Sequence, residues 1–140
     1  MSESAPDASR REVVRGLLAA LLAAGVAPAA RGQTSGVPKP IVRISRGSFP
    51  PEKYEIVRSR LDEAQKTLVP AIRSLAGCLN YFAAIDRESS SMVNVSVWDS
   101  LAHAQQMQTL SAMQDLAGEF TREGVRFERP VVNYETLWEI

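Results

Sequence analysis

The stretch that predicts the fold most clearly is Met92-Val-Asn-Val-Ser-Val-Trp98. Its side chains alternate strictly, so the three valines share one face and the other four residues share the opposite face. An alternation with a period of two predicts a β-strand in a sheet, and the neighbouring segments show which kind of sheet it is.

The segments before this strand predict a strand, a helix and a second strand. Ile41–Ser45 is rich in β-branched residues and lies between Pro40 and Gly47, as expected for a first strand. A helix is predicted to begin near Ser48–Glu52, because apolar residues follow at helical spacing: Tyr54, Val57, Leu61, Ala64 and Leu68. Pro70 is expected to end or kink it, with one more turn over 71–75 and Gly77 after it. Cys78–Ile85 predicts the second strand, and 86–90 a hairpin turn.

The segments after Trp98 complete the pattern. Asp99 and Ser100 are suited to cap a helix predicted over Leu101–Met113. A further helical piece is expected over Leu116–Glu123, then an extended approach over 125–128 and a last strand over Val131–Trp138. The order βαββα(α)β predicts an α+β, ferredoxin-like fold, with helices on one face of a four-stranded antiparallel sheet.

One sheet face requires a cover that a single chain of this pattern does not supply. We expect the helices to cover the valine face and to leave open the face of Met92, Asn94, Ser96 and Trp98. A soluble monomer seldom leaves such a patch exposed, and the same face of a second copy would cover it. The sequence therefore predicts a homodimer.

The first thirty residues predict export. Ser9-Arg10-Arg11-Glu12-Val13-Val14-Arg15 precedes an uncharged apolar run over 16–27, which ends in Ala27-Pro28-Ala29-Ala30. Paired arginines, an apolar run and a small-residue cleavage site are typical of a twin-arginine signal peptide. The alternative is a short buried helix, since the run is too short to span a bilayer. We predict a signal peptide over 1–30, a flexible linker over 31–39, a single domain over 40–140 and a periplasmic or secreted location.

Composition excludes several classes of function. The 16 basic and 16 acidic residues balance, and no basic stripe occurs, which argues against nucleic acid or, after signal cleavage, an anionic membrane as a partner. Cys78 is the only cysteine and His103 the only histidine, so neither an internal disulfide nor a transition-metal cluster is expected. Cys78 is interpreted as structural. We predict no metal and no cofactor.

The stretch from Asn94 to Ala104 resembles the antibiotic biosynthesis monooxygenase-like family, and Gly77 and Tyr81 fit the same pattern. The resemblance covers nearly all of residues 40–140. It implies a dimeric α/β barrel and, in some members, cofactor-independent oxidation of an aromatic or other apolar small molecule. It also implies that Asn94 and Trp98 are the catalytic pair, which holds a phenolic substrate. Other members degrade haem, but no histidine or tryptophan occurs between Gln105 and Glu119, which weakens that interpretation.

Each candidate residue also has a plain structural interpretation. Asn94 can be an interface amide, Trp98 a packing residue and His103 a surface helix residue. Arg43 can bind an anionic substrate or form a salt bridge. If a pocket exists, we expect it near Asn94 and Trp98, with Tyr81, His103 and Arg43 as substrate-binding residues. The function is then either a small oxygenase or a non-catalytic ligand-binding or stress-related protein.

Overall fold

The computed structural model describes residues 38–140. The predicted signal peptide and all but the last two residues of the predicted linker lie outside the described residues.

The domain contains one antiparallel sheet. The strands are β1 (Ile41–Ser48), β2 (Cys78–Asp86), β3 (Ser91–Trp98), β4 (Arg126–Phe127) and β5 (Val132–Glu135). Their order is β2-β3-β1-β4, and β5 also pairs with β1. β4 pairs with the end of β1 and β5 with its beginning. The predicted ferredoxin-like α+β fold is therefore confirmed, with the fourth strand divided in two.

Three helices follow the predicted order. They are α1 (Tyr54–Arg73), α2 (Leu101–Gln105) and α3 (Ser111–Arg122). A short 3₁₀ turn, Pro51–Lys53, leads into α1, and another, Gln106–Gln108, follows α2. Ser100 caps α2 as predicted, because its hydroxyl accepts a hydrogen bond from the backbone N–H of His103.

Two helix boundaries differ from the prediction. Pro70 does not end α1, which continues to Arg73: the proline is exposed in the last turns, and burial of Leu68 and Ile72 in the core holds the helix on both sides of it. The predicted helix over 101–113 is broken, because Leu110 is extended and α3 begins at Ser111. The side chain of Gln106 also ties the turn to the carbonyl of Ala76 (2.8 Å).

The last strand is shorter than the predicted Val131–Trp138. β1 begins at Ile41, which pairs with Glu135, and the N–H of Thr136 bonds to the carbonyl of Pro40. Beyond that point the described part of β1 offers no further partner. Leu137 and Trp138 are therefore exposed after the end of β5.

The assignment of the two sheet faces in the prediction was wrong. Met92, Ser96 and Trp98 are buried, and Trp98 packs in a core with residues of α1 and α2: Ala64, Leu68, Ile72 and Ala104. The helices therefore cover the face that was expected to be open. The large side chains on the alternate face decide the orientation, since they supply more apolar area to bury than the valines do.

The open face of the sheet carries the valines. Residues that pair across neighbouring strands point to the same side of the sheet, so the partners of the valines extend this face onto β1, β2 and β5. Val95 pairs with Phe82 and with Ile44, and Val97 pairs with Val42, which in turn pairs with Tyr134. We call this surface the outer face: Val42, Ile44, Phe82, Val93, Val95, Val97, Val132 and Tyr134. Phe82 and Tyr134 are about half exposed.

Within residues 38–140, no helix is both long enough and apolar enough to cross a membrane.

Candidate functional site

A cavity of about 370 Å³ lies between the helix-covered face of the sheet and α3. Strands β1, β2 and β3 form its floor, and the segment between β4 and β5 contributes a further wall. Its lining is half polar and half apolar: Arg43, Ser45, Tyr81, Asn94, Ser96, Gln108, Gln114 and Arg129 on one hand, and Met107, Met113, Leu116, Ala117, Phe120, Phe127, Pro130 and Val131 on the other. A small organic molecule needs a site of this size and mixed character.

The register of the sheet brings the polar floor residues together. Ser96 pairs with Arg43 on one side and with Tyr81 on the other, and Arg43 pairs with Asn133. Asn94 lies in the next row of the same face, beside Ser45. Side chains in such rows are about 5 Å apart, so three of the predicted site residues share one patch.

Asn94 lies where a ligand could use its amide. It lines the cavity and is half-buried. Among the described residues, no side-chain or backbone group forms a hydrogen bond with its carboxamide, and both polar atoms remain accessible. Its side chain faces the helices and not the outer face. This position does not fit an interface amide across the outer face.

Trp98 does not line the cavity. It is fully buried in the core against α1 and α2, and its indole N–H donates to the hydroxyl of Ser96 at 2.8 Å. The expectation that Trp98 stacks on a ligand is therefore corrected to a packing role. Its hydrogen bond fixes the Ser96 hydroxyl in the cavity floor.

His103 is also outside the cavity. Its Nδ1 lies 2.6 Å from Asp99 Oδ1 at the junction of β3 and α2, and this hydrogen bond lowers the pKa of the Asp99 carboxyl. Gly77 packs against the pair with φ of +74°, and a Cβ there would lie 2.2 Å from His103 Nδ1. The three residues form a structural junction, which explains the need for glycine at position 77. No histidine is thus available in the cavity as a haem ligand.

Tyr81 forms part of the cavity wall, but its hydroxyl is sealed. The oxygen is inaccessible and has no hydrogen-bond partner in the part of the chain that the structure describes. Burial raises the pKa of the phenol, and the nearby Cys78 adds to that effect. Tyr81 therefore remains protonated, and its hydroxyl is not available to a ligand.

Arg43 is the buried charge of the site. Only 9% of the residue is exposed, and its Nη1 donates to Asn133 Oδ1 at 3.2 Å. Burial lowers the pKa of the guanidinium, and the positive charge of Arg129 lowers it further. A guanidinium keeps its proton even so, since its pKa begins far above neutral.

The sequence prediction missed the wall opposite the sheet. Met113, Leu116, Ala117 and Phe120 lie at positions i, i+3, i+4 and i+7 of α3, so they share the face that covers the cavity. That spacing was readable, but the predicted helices divided it between two segments. Arg129, in the segment between β4 and β5, carried no motif that would have singled it out.

The described domain contains no cluster of side chains that could ligate a metal ion. Within residues 38–140, no three side chains of His, Cys, Asp or Glu lie close enough together to hold an ion. Cys78 is half-buried, and burial raises the pKa of its thiol, which does not favour a nucleophilic thiolate.

Solved structures share this fold. A Deinococcus radiodurans protein, provisionally named an antibiotic biosynthesis monooxygenase, is 19% identical with a TM-score of 0.57, covering 71% of this chain and 95% of its own. Protein SO0527 from Shewanella oneidensis is 21% identical with a TM-score of 0.56, and the match covers 71% of this chain and 92% of that protein. SnoaB, a cofactor-independent oxygenase from Streptomyces nogalater, is 13% identical with a TM-score of 0.52, and the match covers 73% of this chain and 97% of SnoaB. Neighbours of the antibiotic biosynthesis monooxygenase type thus have the same ferredoxin-like fold. Neither the family models nor the curated proteins contain a match to the sequence.

Proposed function

We propose that this protein is a monooxygenase-like protein that takes an aromatic or otherwise apolar small molecule into the cavity, where Asn94 orients it for cofactor-independent oxidation. The observation that supports the proposal is the accessible Asn94 carboxamide, which has no protein partner among the described residues, in a cavity whose lining is half apolar. An accessible amide that no protein group bonds can donate to and accept from a ligand that enters the cavity. The shared fold with SnoaB supports the choice of chemistry.

The proposed chemistry requires little of the protein. An electron-rich carbon of the substrate takes one atom of O₂ and becomes a carbonyl, and the other atom leaves as water with the two hydrogens of that carbon. The substrate itself supplies the electrons. Asn94 would hold a carbonyl or phenol oxygen by hydrogen bonding, while Phe120 and Leu116 of α3 would keep water from the reacting carbon.

Anthrone, which yields anthraquinone by this balance, is a suitable probe. We expect the full-length protein to accelerate oxygen consumption and anthraquinone formation above the rate without protein. Asn94→Ala should lower the rate by about tenfold or more, the equivalent of one lost hydrogen bond of ~1.4 kcal/mol. Gln105→Ala removes an exposed amide outside the cavity and serves as the matched control, with an unchanged rate.

The same assay separates catalysis from binding alone. Anthrone binding that Asn94→Ala weakens, without turnover by either protein, would support the alternative of a non-catalytic ligand-binding protein. Turnover that Asn94→Ala leaves unchanged would contradict the role of Asn94. Absence of both turnover and binding would contradict the proposed function.

We also propose that the protein is a homodimer, formed through the outer face and not through the face first predicted. The outer face is largely apolar and remains uncovered by described residues, although Arg46 pairs with Val93 and Asn80 with Val97 on the same side of the sheet. The exposed Leu137 and Trp138 follow shortly after the end of β5. A self-complementary apolar sheet face can pair with itself about a two-fold axis, and a stable interface buries about 1,200 Å² or more.

Light scattering at micromolar concentration tests the dimer. We expect a dimer for the wild type and a folded monomer for Val95→Asp, which places a charge in the centre of the outer face. Leu101→Asp, a charge on an exposed leucine of α2, should leave the dimer intact. A wild-type monomer would contradict the dimer, and a dimeric Val95→Asp variant would exclude this face.

Export remains a proposal from residues 1–30. Arg10 and Arg11 before the apolar run support the twin-arginine route and a periplasmic or secreted location.

A further inference from the structure

The cavity is positively charged, although the protein as a whole is not. The chain carries 16 basic and 16 acidic residues, with a formal net charge of zero. Among the described residues that line the cavity, Arg43 and Arg129 are the charged ones, and no Asp, Glu or His is present. Two like charges therefore face the same cavity, and no negative side chain of residues 38–140 lines its walls.

The charge of Arg43 is not compensated within the described domain. The salt bridges formed by residues 38–140 involve other side chains, and the one hydrogen bond of this guanidinium goes to the neutral amide of Asn133. Buried charges in proteins are normally paired. A guanidinium has five N–H donors, so most of its hydrogen-bonding capacity remains available.

A partner subunit on the outer face cannot supply the missing negative charge. Arg43 pairs with Ser96 in a row whose side chains point toward the helices, and both residues line the cavity. The sheet itself separates this row from the outer face. Arg43 is thus accessible from the cavity, and the salt-bridge alternative is not realised among the described residues.

We propose that Arg43 binds an anionic oxygen of the ligand, such as a phenolate, an enolate or a carboxylate, and that the exposed Arg129 strengthens this binding. The inference rests on the proposed function, in which the cavity is the ligand site, and it deepens that function by naming the substrate class. Arg forms short, charge-assisted hydrogen bonds with such oxygens.

The charge has a consequence for an ionisable ligand. Hydrogen bonding and positive charge favour the ionised form, so a phenol would bind as its phenolate at a pH where free phenol is still protonated. The proton leaves to solvent, and the cavity needs no general base to hold it. The bound phenolate is more electron-rich than the phenol, which suits a substrate that must itself reduce oxygen.

The test uses the full chain and 4-nitrophenol, whose phenolate is yellow and whose neutral form is colourless. In a buffer below the pKa of the free phenol, the wild type should develop the phenolate band on titration. 4-Nitroanisole, in which a methyl group blocks ionisation, should bind about tenfold more weakly than 4-nitrophenol. The affinity for 4-nitrobenzoate shows whether the site prefers a carboxylate to a phenolate.

Arg43→Gln should abolish the phenolate band and weaken 4-nitrophenol binding by about tenfold, while 4-nitroanisole binding changes less than about twofold. Arg58→Gln, an exposed arginine of α1 outside the cavity, is the matched control and should bind like the wild type. Arg129 is exposed, so Arg129→Gln should fold and can test the anion site even if Arg43→Gln does not fold. It should weaken 4-nitrophenol binding by about threefold, and less at high salt.

Equal affinity of the wild type for 4-nitrophenol and 4-nitroanisole would overturn the inference, as would a folded Arg43→Gln variant that keeps the phenolate band. If both probes bind equally and Asn94→Ala weakens both, the anion site fails while the cavity remains the ligand site. If none of these probes binds but anthrone is still bound or oxidised, the anion site fails and the proposed function stands; if anthrone is neither bound nor oxidised, both fail.

Discussion

Trp98→Phe distinguishes a packing role for this residue from a role in ligand binding. The substitution removes the indole N–H that donates to the Ser96 hydroxyl at 2.8 Å, in a residue with no exposed surface. Loss of a donor to a buried hydroxyl costs about 1–3 kcal/mol. The smaller ring leaves a space that costs roughly 1 kcal/mol more at ~24 cal/mol per Å³. We expect the free energy of unfolding to fall by about 2–4 kcal/mol in total.

A double-mutant cycle with Ser96→Ala isolates the hydrogen bond. Ser96→Ala alone leaves the indole N–H without its acceptor, whereas the double variant removes both partners. The double variant should therefore be more stable than the sum of the single losses predicts, by about 1 kcal/mol or more. Urea unfolding followed by far-ultraviolet circular dichroism measures each stability, and the affinity of Trp98→Phe for 4-nitrophenol should remain within about twofold of wild type. Additive losses would refute the hydrogen bond between Trp98 and Ser96, and unchanged stability with weakened binding in Trp98→Phe would refute the packing role.

Three further predictions concern single positions or pairs of positions. Gly77→Ala should lower the free energy of unfolding by about 1–2 kcal/mol, since the new Cβ at φ +74° meets His103 and Asp99. Gly118→Ala in α3, where a Cβ meets nothing within 4 Å, should raise it by about 0.5–1 kcal/mol. Thermal unfolding measures both variants, and equal effects would argue against the structural junction at Gly77. Tyr81→Phe should raise the free energy of unfolding by about 1 kcal/mol, because the removed hydroxyl is buried without a partner, and a drop in melting temperature would mean that the hydroxyl is bonded. Replacing Arg10 and Arg11 by lysine should retain the protein in the cytoplasm when cell fractions are compared, and normal export in a strain whose general secretory route is blocked would contradict the twin-arginine assignment.

The sequence was sufficient to predict the order of the elements but not the orientation of the sheet. Alternation in Met92–Trp98 located β3 to within one residue, and the Ser100 cap located the start of α2. Alternation defines two faces, yet it does not say which one the helices cover. Met92 and Trp98 decided that question through their buried area, and the prediction had assigned them to the open face.

The sequence predicted only part of the site, because it does not show how the helices pack against the sheet. Arg43, Tyr81 and Asn94 were expected near a ligand, and strand register brings all three to one cavity. Trp98 shares a face with Asn94, but the packing of α1 and α2 fills the space around it, and His103 is held by Asp99. Such distinctions depend on how helices pack against the sheet, which the local pattern of the sequence does not contain.

The hydroxyl of Tyr81, which is unpaired among the described residues, and the buried charge of Arg43 could not be predicted from the sequence. The sequence predicted both residues as ligand-binding candidates in strands, but it did not predict the surroundings of either side chain. Their significance comes from what surrounds them: an oxygen without a partner in one case, and a cation beside a second arginine in the other. Only the three-dimensional neighbours reveal such an imbalance.

We propose above all that the cavity beside Asn94 binds a small aromatic ligand. Native mass spectrometry of the protein purified from its own host tests it most directly, with Asn94→Ala and Gln105→Ala purified in parallel. We expect wild type and Gln105→Ala to carry the same small-molecule adduct, an aromatic compound with an ionisable oxygen, and Asn94→Ala to have lost it. An adduct retained in full by Asn94→Ala, or wild-type protein that carries none, would contradict the claim.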